Sequence, residues 1–258
     1  RDLVRSRGLG DVYKRQMFKR CLLISLRNPE ALLMATITPF FLMLLFGTVF
    51  GNIADVGSLN YIDFIVPGII MQSLGQASQH SAMNVATDMT KGIIDRFRSM
   101  SISKSAVLIG HTGAGVVRNT ISSTVIIITA FVLGFRPHSG FVDWLIVAAL
   151  LILVNIAISL LAVLCGLISK SPEGSSGLMF PLFILPFISS GFAPTDTMSG
   201  GIRWFAEIQP MTPIIDSIRA LTLGLPLGNS LWIALAWCIA IIIIAFTAAA
   251  QVYKRRLS

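Results

Sequence analysis

The chain has 258 residues, of which 54% are hydrophobic and only 12% charged. A soluble domain of this size needs a charged shell that this composition cannot build, so lipid must serve as solvent for much of its surface. The formal net charge of +8 arrives in short basic clusters between apolar runs, which argues against nucleic acid as a partner and points to membrane topology.

At the start, Asp11-Val12-Tyr13-Lys14-Arg15-Gln16 resembles the translation of a transposon-end sequencing adapter. Residues 1–16 are therefore set aside as non-native, with Met17 the expected start of one membrane domain covering 17–258. A membrane helix needs about 20 mostly apolar residues. Such runs occupy 31–50, 62–84, 106–134, 142–168, 175–193 and 230–251, which predicts six transmembrane helices. Pro39, Pro67, Pro181 and Pro186 fall in or at the ends of these runs and should kink helices rather than abolish them. Cys21, Cys165 and Cys238 lie in or beside apolar runs without any CxxC pair. They read as small hydrophobic fillers, not as disulfides or metal ligands.

Orientation follows from the basic residues. With the N-terminus inside, the cytoplasm holds Lys19, Arg20, Arg27, Lys91, Arg96, Arg98, Lys104, Lys170, Lys254, Arg255 and Arg256. The outside then holds Arg136, Arg203 and Arg219, so both termini are expected in the cytoplasm of a multi-pass protein. Between the last two runs, residues 194–229 mix Asp196, Arg203, Glu207, Asp216 and Arg219 with Ile202, Trp204, Phe205, Ile208, Ile214 and Ile215. Pro210 and Pro213 break this stretch. It reads as a pair of short amphipathic helices at the outer interface or dipping into it as a re-entrant hairpin, with Trp204 and Trp232 at the membrane boundary. Its charges, with Arg203, Glu207, Pro210 and Pro213 at their centre, either gate an outward exit or simply cap the bundle.

Three polar features stand out against the apolar background. Gln72, Gln76, His80, Asn84 and Asp88 recur every four residues along one slowly drifting face of the second helix. Lipid would not tolerate that face, so it lines a pathway or an interface, or it hydrogen-bonds to neighbouring helices. Arg118, deep in the third run, should face the protein interior, snorkel, or mark a later start for that span, and any carboxylate partner must come from another helix. The segment 88–104 alternates Asp88, Lys91, Asp95, Arg96, Arg98 and Lys104 around Ile93, Ile94, Phe97 and Met100. An amphipathic surface helix of this kind offers mixed charge to a partner while its apolar side anchors it; the plainer reading is a solvated positive-inside loop.

The sequence contains no GxxxxGK[ST], HExxH or GxSxG stretch and no cluster of residues at metal-ligand spacing. The chain is therefore not expected to bind a metal, to catalyse a reaction or to carry an ATPase site. Its energy has to come from elsewhere.

Several short motifs, in order, resemble the ABC-2 transporter permease family, particularly its daunorubicin-resistance type members. They are Arg27-Asn28-Pro29, Asp63 to Gly68, Asp88, Lys91-Gly92, Asp95 to Met100, Ser189 to Pro194, Glu207 to Pro213 and Ile218 to Leu221, and they span nearly all of 17–258. Ser101 stands where proline is expected and Gln209 where many relatives carry asparagine. The resemblance implies an all-α membrane subunit with a cytoplasmic coupling helix, formed here by Asp88, Lys91, Gly92, Asp95, Arg96, Phe97 and Arg98. This helix would dock on a separate ABC ATPase, present in two copies and itself holding ATP and Mg. The resemblance also implies an extracytoplasmic helical hairpin, a second permease copy as homodimer or heterodimer, and export of a hydrophobic or amphipathic compound across a prokaryotic plasma membrane. An ion-coupled secondary transporter would instead need a membrane-embedded acid, and an intramembrane enzyme would need a catalytic constellation.

Overall fold

The computed structural model describes residues 29–51, 59–91 and 104–256. Eight α-helices and two 3-10 turns make up the described chain, and no strand occurs among the described residues. Helix α1 is Pro29–Val49, α2 Tyr61–Thr90, α3 Lys104–Val132 and α4 Phe141–Ile168. Helix α5 is Pro172–Ile184, continued by a 3-10 turn at Leu185–Ile188. After a second such turn at Thr195–Thr197 come α6 (Gly200–Ile208), α7 (Met211–Leu223) and α8 (Ser230–Arg256).

Each of the six apolar runs begins a helix near the expected place, but they are not equivalent. Among the described residues, three helical stretches are long and apolar enough to cross a membrane: Ile109–Val132, Phe141–Ile168 and Ser230–Val252. Ile37–Val49 in α1 is a shorter apolar helix. Helix α2 runs 30 residues, about 45 Å at 1.5 Å per residue, and carries too many polar groups to qualify by composition. The fifth run departs from expectation. Its helix stops at Ile184 instead of continuing to 193, because the ring of Pro186 cannot supply the next α-helical N–H. A 3-10 turn and then an irregular stretch carry the chain onward.

Helix α2 lies at the centre. Helices α1, α3, α4, α5 and α7 all pack against it, and Ile65, Ile69, Ile70, Met71 and Leu74 are almost wholly enclosed. Glycines let the neighbours come this close. A Cβ on Gly68 would sit 2.5 Å from the Gly191 carbonyl oxygen, and one on Gly75 would sit 2.8 Å from that of Leu182. On α4, a Cβ on Gly166 would sit 2.7 Å from the Ala82 carbonyl oxygen. Small residues that bring helix backbones together are the main packing device where lipid supplies no hydrophobic drive.

Helix α8 sits outermost on α4 and α7 and shows Ile239, Ile243, Ile244 and Phe246 to the surroundings. Helix ends are capped locally. The Ser171 side chain accepts from the Gly174 N–H at the start of α5, and Asp143 accepts from the Gly140 N–H at the start of α4. Gly224, at φ 68°, ends α7 in the left-handed conformation that glycine adopts without strain. Cys165 and Cys238 are free thiols packed among the helices, as their apolar setting implies; Cys21 lies outside the described residues.

The close approach at Gly68 can be tested against a neutral control. Gly68→Ala should destabilise the folded protein by about 1–3 kcal/mol through overpacking. Gly177→Ala, which meets nothing within 4 Å, should not. Melting temperatures of the two detergent-solubilised variants check this.

Candidate functional site

The antiparallel helices α2 and α3 meet along a polar seam. Asp88 Oδ2 lies 3.5 Å from His111 Nε2, with both residues 8% exposed. One heptad toward the other end, Arg118 donates to the Ser81 hydroxyl and, at 2.9 Å, to the Ala77 carbonyl. Asn119 donates to Ser78 Oγ at 3.2 Å. The spacing of seven residues on each helix is that of a near-antiparallel pair, in which the same face returns every two turns. Further along the helices, toward the α3–α4 connection, the rungs turn apolar, with Leu74 and Ile126 both buried. Arg118 thus faces the protein interior, as expected, and is partly buried there. Gly115, on the same helix, lets α4 approach: a Cβ at this position would sit 2.8 Å from Ser159 Oγ.

The polar stripe of α2 does not form one wall. A step of four residues turns a helix by about 400°, so the stripe drifts by about 40° at each step. Gln72 is fully buried, on the same face as Gly68 and Gly75 under the α5 region, and its amide has no hydrogen-bond partner among the described residues. Gln76 and His80 are half-buried, and Asn84 is exposed. Asp88 has turned to α3. The stripe therefore starts beneath α5, crosses the open side of α2 and ends in the seam with His111.

Of the residues proposed for coupling, Asp88 is held inside by His111 and Lys91 is exposed at the end of α2. Gly92, Asp95, Arg96, Phe97 and Arg98 lie outside the described residues.

At the opposite end of α2, the outer stretch forms two helices. Helix α6 carries Arg203, which bonds Glu207 and Asp196, each at 2.7 Å, all three exposed. The hydrogen bond to Glu207, followed by the charges of Glu207 and Asp196, holds the Arg203 pKa above its ordinary value. Trp204 and Trp232 are 66% and 71% exposed. Only Pro210 marks the break between the helices; Pro213 sits buried in the first turn of α7, where a proline costs no helical bond. Gln209 donates to the Leu185 and Ile188 carbonyls at 3.1 and 2.7 Å and so closes the end of the 3-10 turn.

Arg219 on α7 is the organising residue here, and its motif is visible in the sequence although the role is not. It pairs with Asp216 at 2.7 Å, donates to the Phe64 carbonyl at 3.1 Å and to the Ser190 carbonyl, and lies 3.8 Å from the Phe64 ring centroid. Ser190 Oγ also donates to Asp216 at 2.6 Å. One guanidinium thus ties α7, the first turn of α2 and the exit from the 3-10 turn together. Among the described residues, no group of His, Cys, Asp or Glu is arranged to hold a metal ion.

Residues 15–223, from ahead of α1 to the end of α7, match the ABC-2 type transporter family. The chain belongs to that family. It is 28% identical over 199 residues to a daunorubicin resistance ABC transporter permease protein, DrrB1, of Streptomyces coeruleorubidus, covering 76% of this chain and 70% of that protein. It is 24% identical to a probable doxorubicin resistance ABC transporter permease protein, DrrC, of Mycobacterium tuberculosis (86% and 80% covered). An inner membrane transport permease of Escherichia coli, YadH, is 25% identical (82% and 85% covered). In this ABC-2 membrane protein the seam, the open side of α2 and the Arg219 hub all lie within the matched region.

Arg219→Gln should destabilise the ABC-2 fold by several kcal/mol, because charge-assisted bonds contribute about 1.5–3 kcal/mol each and two carbonyls lose their donor. Arg203→Ala should leave the melting temperature almost unchanged, since its pairs are exposed and screened by salt. Thermal unfolding of both variants in one detergent makes the comparison.

Proposed function

We propose that this chain is the membrane-spanning permease subunit of an ATP-driven ABC exporter that moves a hydrophobic or amphipathic compound out of a prokaryotic cytoplasm. In this reading the chain crosses the plasma membrane six times, through α1, α2, α3, α4, α5 with its 3-10 turn, and α8, and keeps both termini in the cytoplasm. Helices α6 and α7 form a hairpin at the outer end. A second permease copy, identical or a sister, completes the pathway, and two copies of a separate ATPase supply ATP and Mg. Resistance to daunorubicin and doxorubicin, for which two relatives are named, supports a small exported compound.

The observation that carries this reading is the open side of α2. Gln76, His80 and Asn84 lie on the least covered side of this central, largely buried helix, at a depth where lipid would exclude them. A second copy or a water-filled path has to face them. At the cytoplasmic end, the Asp88–His111 and Ser81–Arg118 rungs bind α2 to α3 on either side of residues 92–103. Motion delivered by the ATPase to that segment would then move both helices as one body, which transmission over this distance requires. At the outer end, the Arg203 pairs, Pro210 and Pro213 form the gate, with Arg219 as its pivot.

The buried Asp88–His111 pair also bears on the alternative of an ion-coupled transporter, because it places an acid between helices. Nucleotide dependence separates the two readings. The chain is reconstituted into vesicles with the ATPase encoded beside it, and daunorubicin efflux is followed by fluorescence. Efflux should require ATP, and Asn84→Leu should lower it about tenfold without loss of the assembled complex. Uphill movement by the chain alone on a proton gradient, without nucleotide, would overturn the exporter reading.

A further inference from the structure

Helices α3, α4 and α8 enclose a second feature that transport through the open side of α2 does not use. It is a groove of about 520 Å³ lined by Ile109, Gly113 and Val116 of α3, Ile156 and Leu160 of α4 and Phe246 of α8. These are the three helices that are long and apolar enough to cross a membrane, so the groove opens where acyl chains are the solvent.

Its depth is set by chain position. Leu160 lies ten residues before Lys170, and Phe246 lies ten before Arg256. At 1.5 Å per residue that is about 15 Å, or half of a hydrocarbon core about 30 Å thick. The groove therefore spans the acyl layer of one leaflet. All three lining helices carry basic residues at that same end: Lys104 where α3 begins, Lys170 just after α4, and Lys254, Arg255 and Arg256 in the last turn of α8. Lys170 is exposed, and Glu173 in the first turn of α5 is the nearby acid in sequence. An apolar slot between helices whose same ends carry basic residues in the sequence, one headgroup-to-chain distance away, matches the two halves of an anionic phospholipid.

We propose that this groove is a binding site for an anionic phospholipid, one acyl chain lying between α3, α4 and α8 and the headgroup held at their basic ends. Basic residues near a membrane surface attract anionic lipid, so a few of them give selectivity over a zwitterionic lipid. The site is independent of any ATPase, and its test needs none.

The full chain is reconstituted into vesicles containing phosphatidylcholine with a trace of spin-labelled phosphatidylglycerol or, separately, spin-labelled phosphatidylcholine. Electron paramagnetic resonance then reads the immobilised fraction of each label. Phosphatidylglycerol should be immobilised with about fivefold preference. Lys170→Glu should lower that preference about threefold or more, as should high salt. Gly113→Leu, which fills the slot, should abolish it while folded protein remains. Equal immobilisation of the two lipids, or a preference that both variants retain, would overturn the proposal. Release of phosphatidylglycerol by micromolar daunorubicin would assign the groove to cargo instead. Loss of dimers in Gly113→Leu without a change in lipid preference would assign it to a second copy. Either outcome would also overturn the proposal.

Discussion

A helix as polar as α2 cannot turn its whole surface to acyl chains, and in this bundle other helices cover most of it. It is too polar to rank among the crossing segments by composition, yet more of it is buried than of any of those segments. Its burial depends on backbone-to-backbone approach at Gly68, Gly75 and Gly166, where a single added methyl would meet a carbonyl oxygen. The other helices are arranged around that requirement. Apolar α3, α4 and α8 form the lipid-facing flank, short α5 and its 3-10 turn close over Gly68 and Gly75, and α7 docks on the first turn of α2.

Two arginines show how charge is accommodated inside such a bundle. Arg118 donates to a serine hydroxyl and a backbone carbonyl of α2, and Arg219 meets two carbonyls, one carboxylate and an aromatic face. In both cases the guanidinium's several donors join segments that no backbone ladder connects. Arg118 acts near the middle of α2, within the helix pair that flanks residues 92–103, and Arg219 acts at the first turn of α2. Exposed Arg203, by contrast, pairs only with its own helix and the turn before it. The difference between the two outer arginines is burial, which converts similar charge pairs into a structural joint in one case and a solvated cluster in the other.

Helix positions were readable because twenty consecutive apolar residues have few other uses, and five of the six expected runs begin and end close to where the helices do. The fifth failed at its far end, since hydropathy continues through Pro186 while the hydrogen-bond ladder does not. The stripe of Gln72, Gln76, His80, Asn84 and Asp88 was visible as a period, but its two ends point at different neighbours because four residues overshoot a helical turn. The partners of Arg118 were not readable at all. Ser81 and Ala77 offer a hydroxyl and a carbonyl, groups that occur throughout the chain and mark nothing until a second helix is laid alongside. Arg219 had a recognisable motif and no recognisable task, because what it joins lies 155 residues earlier in the chain, at Phe64.

By itself, then, the amino-acid order determined that this is a helical membrane protein, where most of its helices lie, and which family it resembles. These follow from local composition, since each apolar run answers to lipid irrespective of the others. Only the tertiary structure decided which face of α2 stays open, that Asp88 turns inward to His111, and that Arg219 rather than Arg203 anchors α7 to the first turn of α2. Such outcomes depend on how closely two distant backbones can approach, and that distance is set by pairs of residues that no local pattern connects.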